Sequence, residues 1–193
     1  MSKAQVVFVV GGPGAGKGTQ CEKLVNTLKC AWFSTGDLLR DYVKFKKGPD
    51  AEELGQIMAK GQLVSSERLV NVLKVSIETS PNKHVLLDGF PRSQENIDAW
   101  DKVMPSVAEV VGVLYFEATD EEMTKRLLGR NQGRADDNIE TIKKRLEVFK
   151  NQSQPVINKY EKAGKLMKVN AMRDVESIFK DVLSNFKANK VFE

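Results

Sequence analysis

The feature that most constrains this chain is an apolar, β-branched run that empties into a glycine-rich turn: VVFVV at residues 6–10, then GGPGAGKGT at 11–19. A short continuous apolar run reads as a buried strand, and the helical pattern that follows the turn completes a strand–loop–helix unit. Glycines in such a turn let successive backbone N–H groups converge on a phosphate chain, while the helix N-terminus adds about half a positive charge. Lys17 supplies a point charge for the outer phosphates. One position departs from the usual Gly-x4-Gly-Lys-[Ser/Thr] pattern, in which the hydroxyl after the lysine ligates Mg2+. Here Gly18 follows Lys17, and Thr19 comes one residue late. Because a helix turns about 100° per residue, Thr19 points elsewhere and does not replace the missing ligand. Mg2+ is therefore expected to be held mainly by phosphate oxygens and water.

Further apolar runs at 31–33, 85–87, 110–116 and 166–169 read as buried strands. Helical patterns fall at 17–28, 66–79, 120–130, 138 to about 163, and 175–186. Strands alternating with helices imply right-handed βαβ units and a parallel sheet covered on both faces. The expected architecture is a three-layer α/β/α P-loop NTPase fold with a five-stranded parallel sheet. Residues 36–65 are helical, polar and free of strand pattern, and residues 129–138, GRNQGRADDN, form a loop rich in Gly and Arg. Insertions at the carboxyl edge of a parallel sheet tend to cover substrate. The expected organisation is one domain over 1–193, with a core of 1–35, 66–128 and 139–193, an insertion at 36–65 and a lid at about 129–138.

The run VLLDGF ends a strand in Asp88, a place from which a carboxylate reaches the Mg2+ of a nucleotide directly or through water. Guanine-nucleotide switches commonly read their base with Asn-Lys-x-Asp; the three Asn-Lys pairs here continue as His84-Val85, Tyr160-Glu161 and Val191-Phe192, so that reading loses support. Arginines fall in suggestive places instead: Arg40 and Arg92 close STGDLLR and DGFPR, Arg126, Arg130 and Arg134 line the expected lid, and Arg145 lies in the long helix after it. Phosphoryl transfer needs positioning and positive charge, and an acceptor that is itself a phosphate needs no general base. His84, the sole histidine, reads as structural or surface.

Composition excludes other classes. A net charge of +4 from 30 basic and 26 acidic residues spread along the chain argues for small anionic ligands and against a nucleic-acid tail. The run Lys44-Phe45-Lys46-Lys47 reads as a solvated face. Cys21 and Cys30 fit no zinc or redox spacing and read as reduced thiols of a cytoplasmic protein that could also enter the nucleus. Neither a signal peptide nor an apolar run approaching the roughly 20 residues of a membrane span is expected.

Taken together, GGPGAGKGTQ, STGDLLR, KGQLV, LLDGFPRSQEN, RLLGR, GRADDN, IKKRLE and PVINKYEKAGK resemble the nucleoside monophosphate kinases, which include adenylate kinase and UMP-CMP kinase. The resemblance covers nearly the whole chain and is of the short-lid type. It implies a monomer that uses Mg2+ with ATP and takes a nucleoside monophosphate as acceptor. By that resemblance ATP contacts Gly12, Pro13, Gly14, Ala15, Gly16, Lys17, Gly18, Thr19, Arg126, Arg130 and the backbone near Arg173. The acceptor contacts Thr35, Gly36, Arg40, Val64, Gly89, Phe90, Arg92, Asn96, Arg134 and Arg145. Lys17, Arg92, Arg130, Arg134 and Arg145 are the implied catalytic set, with Asp136 and Asp137 orienting lid arginines or binding the donor, and Asp88 reaching the metal through water. The segment between Arg130 and Arg134 is shorter than in the family members it resembles.

Two residues point to different acceptors. Asn96 matches UMP-CMP kinases, where adenylate kinases carry Gln, and the following residues NIDAW also resemble the pyrimidine enzymes. Thr35 is the adenylate-kinase choice where UMP-CMP kinases carry Ala. The amide addresses the base edge, so UMP or CMP, with dCMP beside them, is the expected acceptor and AMP the alternative. Trp100 and Trp32 read as core or surface aromatics. A P-loop switch or binding protein, and another small-molecule kinase, are the remaining rivals; DGFPR together with GDLLR argues against both.

Overall fold

The computed structural model describes residues 2–59, 64–129 and 139–193. Five parallel strands, β1 (Ala4–Gly11), β2 (Ala31–Ser34), β3 (His84–Asp88), β4 (Ala108–Glu117) and β5 (Leu166–Asn170), form one sheet in the order β2-β3-β1-β4-β5. The order reverses around β1: the chain lays β2 and β3 on one side and β4 and β5 on the other. That switch point opens a crevice beyond the carboxyl ends of β1 and β3, where α/β sheets bind ligands.

Alternation along β1 builds both cores. Val7 and Val9 face one helical layer with Cys21, Leu24, Leu127, Ile142 and Val182. Val6, Phe8 and Val10 face the other, with Leu73, Ile77, Phe90, Trp100 and Ile157. Phe8 is the hub of the second core, with ring centroids 5.0 Å from Trp100 and 5.4 Å from Phe90. Both cysteines are buried and free, and burial pushes the Cys21 thiol well up, so it is inert. His84 stacks on Phe192 at 4.8 Å.

Helix α1 (Lys17–Leu28) starts where Gly16, at φ 89°, releases the loop into a helix, and α4 (Ser66–Thr79) starts at the Ser65 cap, whose hydroxyl accepts from the Arg68 N–H. Between β2 and α4 stand α2 (Thr35–Phe45) and α3 (Pro49–Ala59). Arg68 ties α3 to α4 through Asp50 at 2.7 Å and Glu53 at 3.0 Å.

Two segments differ from the sequence reading. Helix α5 (Gln94–Val103) lies where no helical pattern stood out; polar residues interrupt its apolar positions, but Ser93 caps it by accepting from the Asn96 N–H. The helix expected from 138 to about 163 is broken. It consists of α7 (Ile139–Val148), a π-helix (Phe149–Ser153) and α8 (Gln154–Lys162). Pro155 explains the break: it has no N–H, and its ring would strike the carbonyl four residues back. The chain widens instead, and the Gln154 N–H donates to the Phe149 carbonyl five residues earlier. Helices α6 (Asp120–Gly129) and α9 (Val175–Ala188) complete the layer over α1. Among the described residues no helix is long and apolar enough to cross a membrane.

Candidate active site

The glycine loop sits at the crevice, and its shape follows from what surrounds each glycine. Gly14 has φ 80°, and a Cβ there would stand 2.8 Å from the Met123 carbonyl oxygen of α6. Gly12 is as close, 2.4 Å from Met123 Sδ, although a thioether can move aside. Gly18 is different: a Cβ there would meet nothing within 4 Å. The fold does not require that glycine. The space where an ordinary P-loop hydroxyl would stand is left open.

Lys17 folds back over the loop, and Nζ donates to the carbonyls of Gly11 and Gly12 at 3.0 Å each. Burial, opposed by Asp88 and reinforced by Arg92 and Arg145, lowers its pKa to about 8. Asp88 ends β3 next to β1, paired with Val9, and burial raises its carboxyl against the pull of Lys17, the Trp32 indole N–H and Arg92. Thr19 is exposed one residue beyond Gly18.

Opposite the loop stands the turn after β3. Gly89, at φ 80°, lets the backbone reverse after Asp88 while its N–H donates to the Val9 carbonyl at 3.1 Å. Arg92 Nε donates to the Gly89 carbonyl at 2.9 Å. Its flanks are crowded while its outer surface stays open to solvent; desolvation lowers its pKa, Asp88 opposes this, and Arg145 adds to it. Lys17, Gly89, Arg92 and Arg145 line one cavity of about 310 Å³. Three cations therefore converge where two phosphate groups could meet.

The other expected residues are placed as follows. Thr35 is buried, its Oγ1 3.3 Å from where a Gly89 Cβ would stand. Gly36 lies under the Arg40 guanidinium, which is exposed and paired with Asp37. Val64 is half-buried just before α4. The Phe90 side chain is fully buried against Phe8 and Trp100, leaving only its backbone for an acceptor. Asn96 is buried with both ends of its amide engaged: Oδ1 accepts from the Arg92 N–H at 2.9 Å and Nδ2 donates to Ser66 Oγ at 2.8 Å. One amide hydrogen and one lone pair are left for a base. Arg126 lies beside the glycine loop, NH1 3.9 Å from a Gly16 Cβ position, with NH2 donating to the Ala171 carbonyl at 2.6 Å. Arg173 turns its side chain to Asp181, so only its backbone stays available to a base. Trp100 is core, and Trp32 is half-exposed at the edge strand. Arg130, Arg134, Asp136 and Asp137 lie outside the described residues, as do residues 60–63 of KGQLV.

Sequence reasoning missed Thr141, Lys144 and Ser153, which also line the cavity. With Arg145 and Val148, the first two form an i, i+3, i+4, i+7 stripe on α7, a pattern that reads equally well as a solvated face. Ser153 carried no signal.

A parallel sheet with a glycine loop at its switch point, a half-buried lysine folded over that loop and facing arginines defines a P-loop phosphotransferase. The adenylate kinase family model matches residues 9–165. The chain is 47% identical to UMP-CMP kinase 3 of Arabidopsis thaliana over 98% of its length and 93% of the relative's. It is 44% identical to UMP-CMP kinase 1 of Oryza sativa subsp. japonica, over 95% of its own length and 74% of that protein's. Against adenylate kinase isoenzyme 1 of Oryctolagus cuniculus the identity is 42%, over 98% of both chains. The chain belongs to the adenylate kinase family, and it is a nucleoside monophosphate kinase.

Proposed function

We propose that this enzyme transfers the γ-phosphoryl group of ATP to UMP or CMP, with dCMP as a further acceptor, giving ADP and the nucleoside diphosphate. The observation that carries the reading is the meeting of Lys17, Arg92 and Arg145 on one cavity between the glycine loop and the Gly89 turn. ATP phosphates would occupy residues 12–19, with Arg126, Arg130 and the backbone at Arg173 toward the base. The acceptor would lie across Thr35, Gly36, Arg40, Val64, the backbone of Gly89 and Phe90, and Asn96. Its phosphate would meet Arg40 and Arg92, and Arg130, Arg134 and Arg145 would surround the moving group.

Each residue then acts through charge and placement. The acceptor phosphate is already an anion at neutral pH, so no side chain need remove a proton. Arg92 and Arg145 hold the two anionic groups together against their mutual repulsion, and Lys17 follows the charge that develops on the β–γ bridge. Insertion 36–65 and lid 129–138 are proposed to close over both substrates and exclude water, which would otherwise take the phosphoryl group.

Mg2+ bound to ATP would neutralise the β- and γ-oxygens and orient them. The donor set fits an ion carried by its nucleotide: Asp88 is one half-buried carboxylate at the crevice, and the space beside Gly18 is open. No cluster of three or more His, Cys, Asp or Glu able to hold a metal occurs among the described residues. Asp88 would reach the ion through water.

Support for a pyrimidine comes from Asn96 and from the UMP-CMP kinases among the relatives. Thr35, beside Gly89, favours AMP as the second reading. The enzyme is further proposed to be a monomer of the cytoplasm, or also of the nucleus, working in pyrimidine nucleotide supply with no nucleic-acid or membrane partner. The test is ADP formation from ATP with CMP, UMP, dCMP, AMP or no acceptor. CMP or UMP should outpace AMP. Faster turnover with AMP would overturn the pyrimidine reading, and ADP formation that ignores the acceptor would overturn the kinase reading.

A further inference from the structure

Arg92 is held at its backbone from two directions. Its N–H donates to Asn96 Oδ1 at 2.9 Å, and its carbonyl accepts from Ser153 Oγ at 2.9 Å. Ser153 is 7% exposed and closes the π-helix. A helical serine more often turns its hydroxyl to the carbonyl four residues back. Here it reaches a residue 61 positions away in sequence.

The π-helix is what makes that reach possible. On α7 the cavity face runs through Thr141, Lys144, Arg145 and Val148. A continued α-helix, at about 100° per residue, would carry the face on to 151 and 152. Asn151 and Gln152 are exposed instead, and the face passes to Phe149 and Ser153. The extra residue of the π-turn rotates Ser153 onto Arg92. Such insertions recur at functional sites.

We propose that Ser153 is a positioning residue for phosphoryl transfer: its hydroxyl fixes the Arg92 carbonyl and so locks the loop carrying one phosphate-binding arginine to the helix carrying the other, Arg145. This rests on the reading that both arginines meet the reacting phosphates. Without the bond the loop after β3 and the helix bearing Arg145 move apart, and the two arginines lose their common aim.

The test uses the full chain with ATP and CMP, comparing wild type, Ser153→Ala, Ser153→Thr, Arg92→Ala and the Ser153→Ala/Arg92→Ala double variant. Circular dichroism confirms folding first; if Ser153→Ala is too unstable to assay, Ser153→Cys fills the same space with a weak donor. Ser153→Ala should lose about tenfold in kcat with KM for ATP nearly unchanged, because misplacing a reacting group acts on the transition state. Ser153→Thr, which keeps the hydroxyl, should recover most of that loss. In the Arg92→Ala background Ser153→Ala should cost clearly less, since the common aim of the two arginines is already lost there. Wild-type kcat in Ser153→Ala, or the same fold loss in both backgrounds, would reduce Ser153 to a stability role and overturn the proposal. An Arg92→Ala enzyme as fast as wild type would instead overturn the reading of Arg92, and the proposal with it.

Discussion

Lys17 is held in the native fold at a cost that pH can expose. Its pKa falls from 10.5 to about 8, chiefly through burial. At 1.36 kcal/mol per pH unit that amounts to about 3 kcal/mol, or about 2 to 3 once its residual solvent contact is discounted. Lys17→Met keeps the length and removes the charge. It also removes two hydrogen bonds to the Gly11 and Gly12 carbonyls, at a net cost of about 1 kcal/mol each. At pH 7 the two effects nearly cancel, so the variant should match wild-type stability within about 1 kcal/mol. The sign with pH is then fixed. Between about 8 and 10.5 the unfolded chain binds more protons at Lys17 than the native one, so wild-type stability from this group rises with pH through that window and is flat below it. By pH 9.5 the wild type should gain about 2 kcal/mol relative to Lys17→Met. Urea unfolding of both proteins at pH 7 and 9.5 measures this, and groups common to both cancel in the comparison. A stability difference that does not change between these pH values would refute the argument that Lys17 is stored as a dehydrated cation. On the proposed reading, in which its charge meets the phosphates, the same variant should lose at least about 10²-fold in kcat/KM.

Gly14→Ala and Gly18→Ala should separate fold from ligand: the first sets a side chain at φ 80° and 2.8 Å from the Met123 carbonyl and should cost about 1 to 3 kcal/mol in urea unfolding, while the second meets open space and should cost less than about 0.5. Asn96→Gln should not produce an AMP kinase. The longer amide cannot keep both the Arg92 N–H and Ser66 Oγ, so kcat/KM with CMP should fall by about tenfold or more without a gain with AMP. Nucleotide binding should draw a proton onto Lys17, and calorimetry in buffers of different ionisation enthalpy should find about half a proton taken up at pH 8 and almost none at pH 6.5. Equal uptake at both would contradict the value of about 8 for Lys17.

What the sequence made legible was what local chemistry decides. Gly16 must sit at positive φ before α1, so the helix start at Lys17 was readable; Ser65 caps α4 in the same way. The strands announced themselves because a sheet covered on both faces demands an unbroken apolar run, as at Val6 to Val10 of β1. The π-helix was not legible, since it answers a conflict between Pro155 and the helix pattern around it, and several resolutions fit the same letters. Asn96 shows a different limit. Its type pointed to a base contact, while its geometry shows an amide also spent on holding Arg92 to Ser66, which only the fold brings within reach. Lys144 and Ser153 became visible as site residues once the phase of α7 and the π-turn was known.

The central claim is that the phosphoryl group passes between two bound nucleotides and not to water. ATP labelled in its γ-phosphoryl group, mixed with CMP and the enzyme, tests it most directly. The account predicts that the label appears in the terminal phosphate of CDP, with little in inorganic phosphate, and that Arg92→Ala slows the transfer by about 10²-fold or more. Label released mainly as inorganic phosphate, at a rate indifferent to CMP, would contradict it.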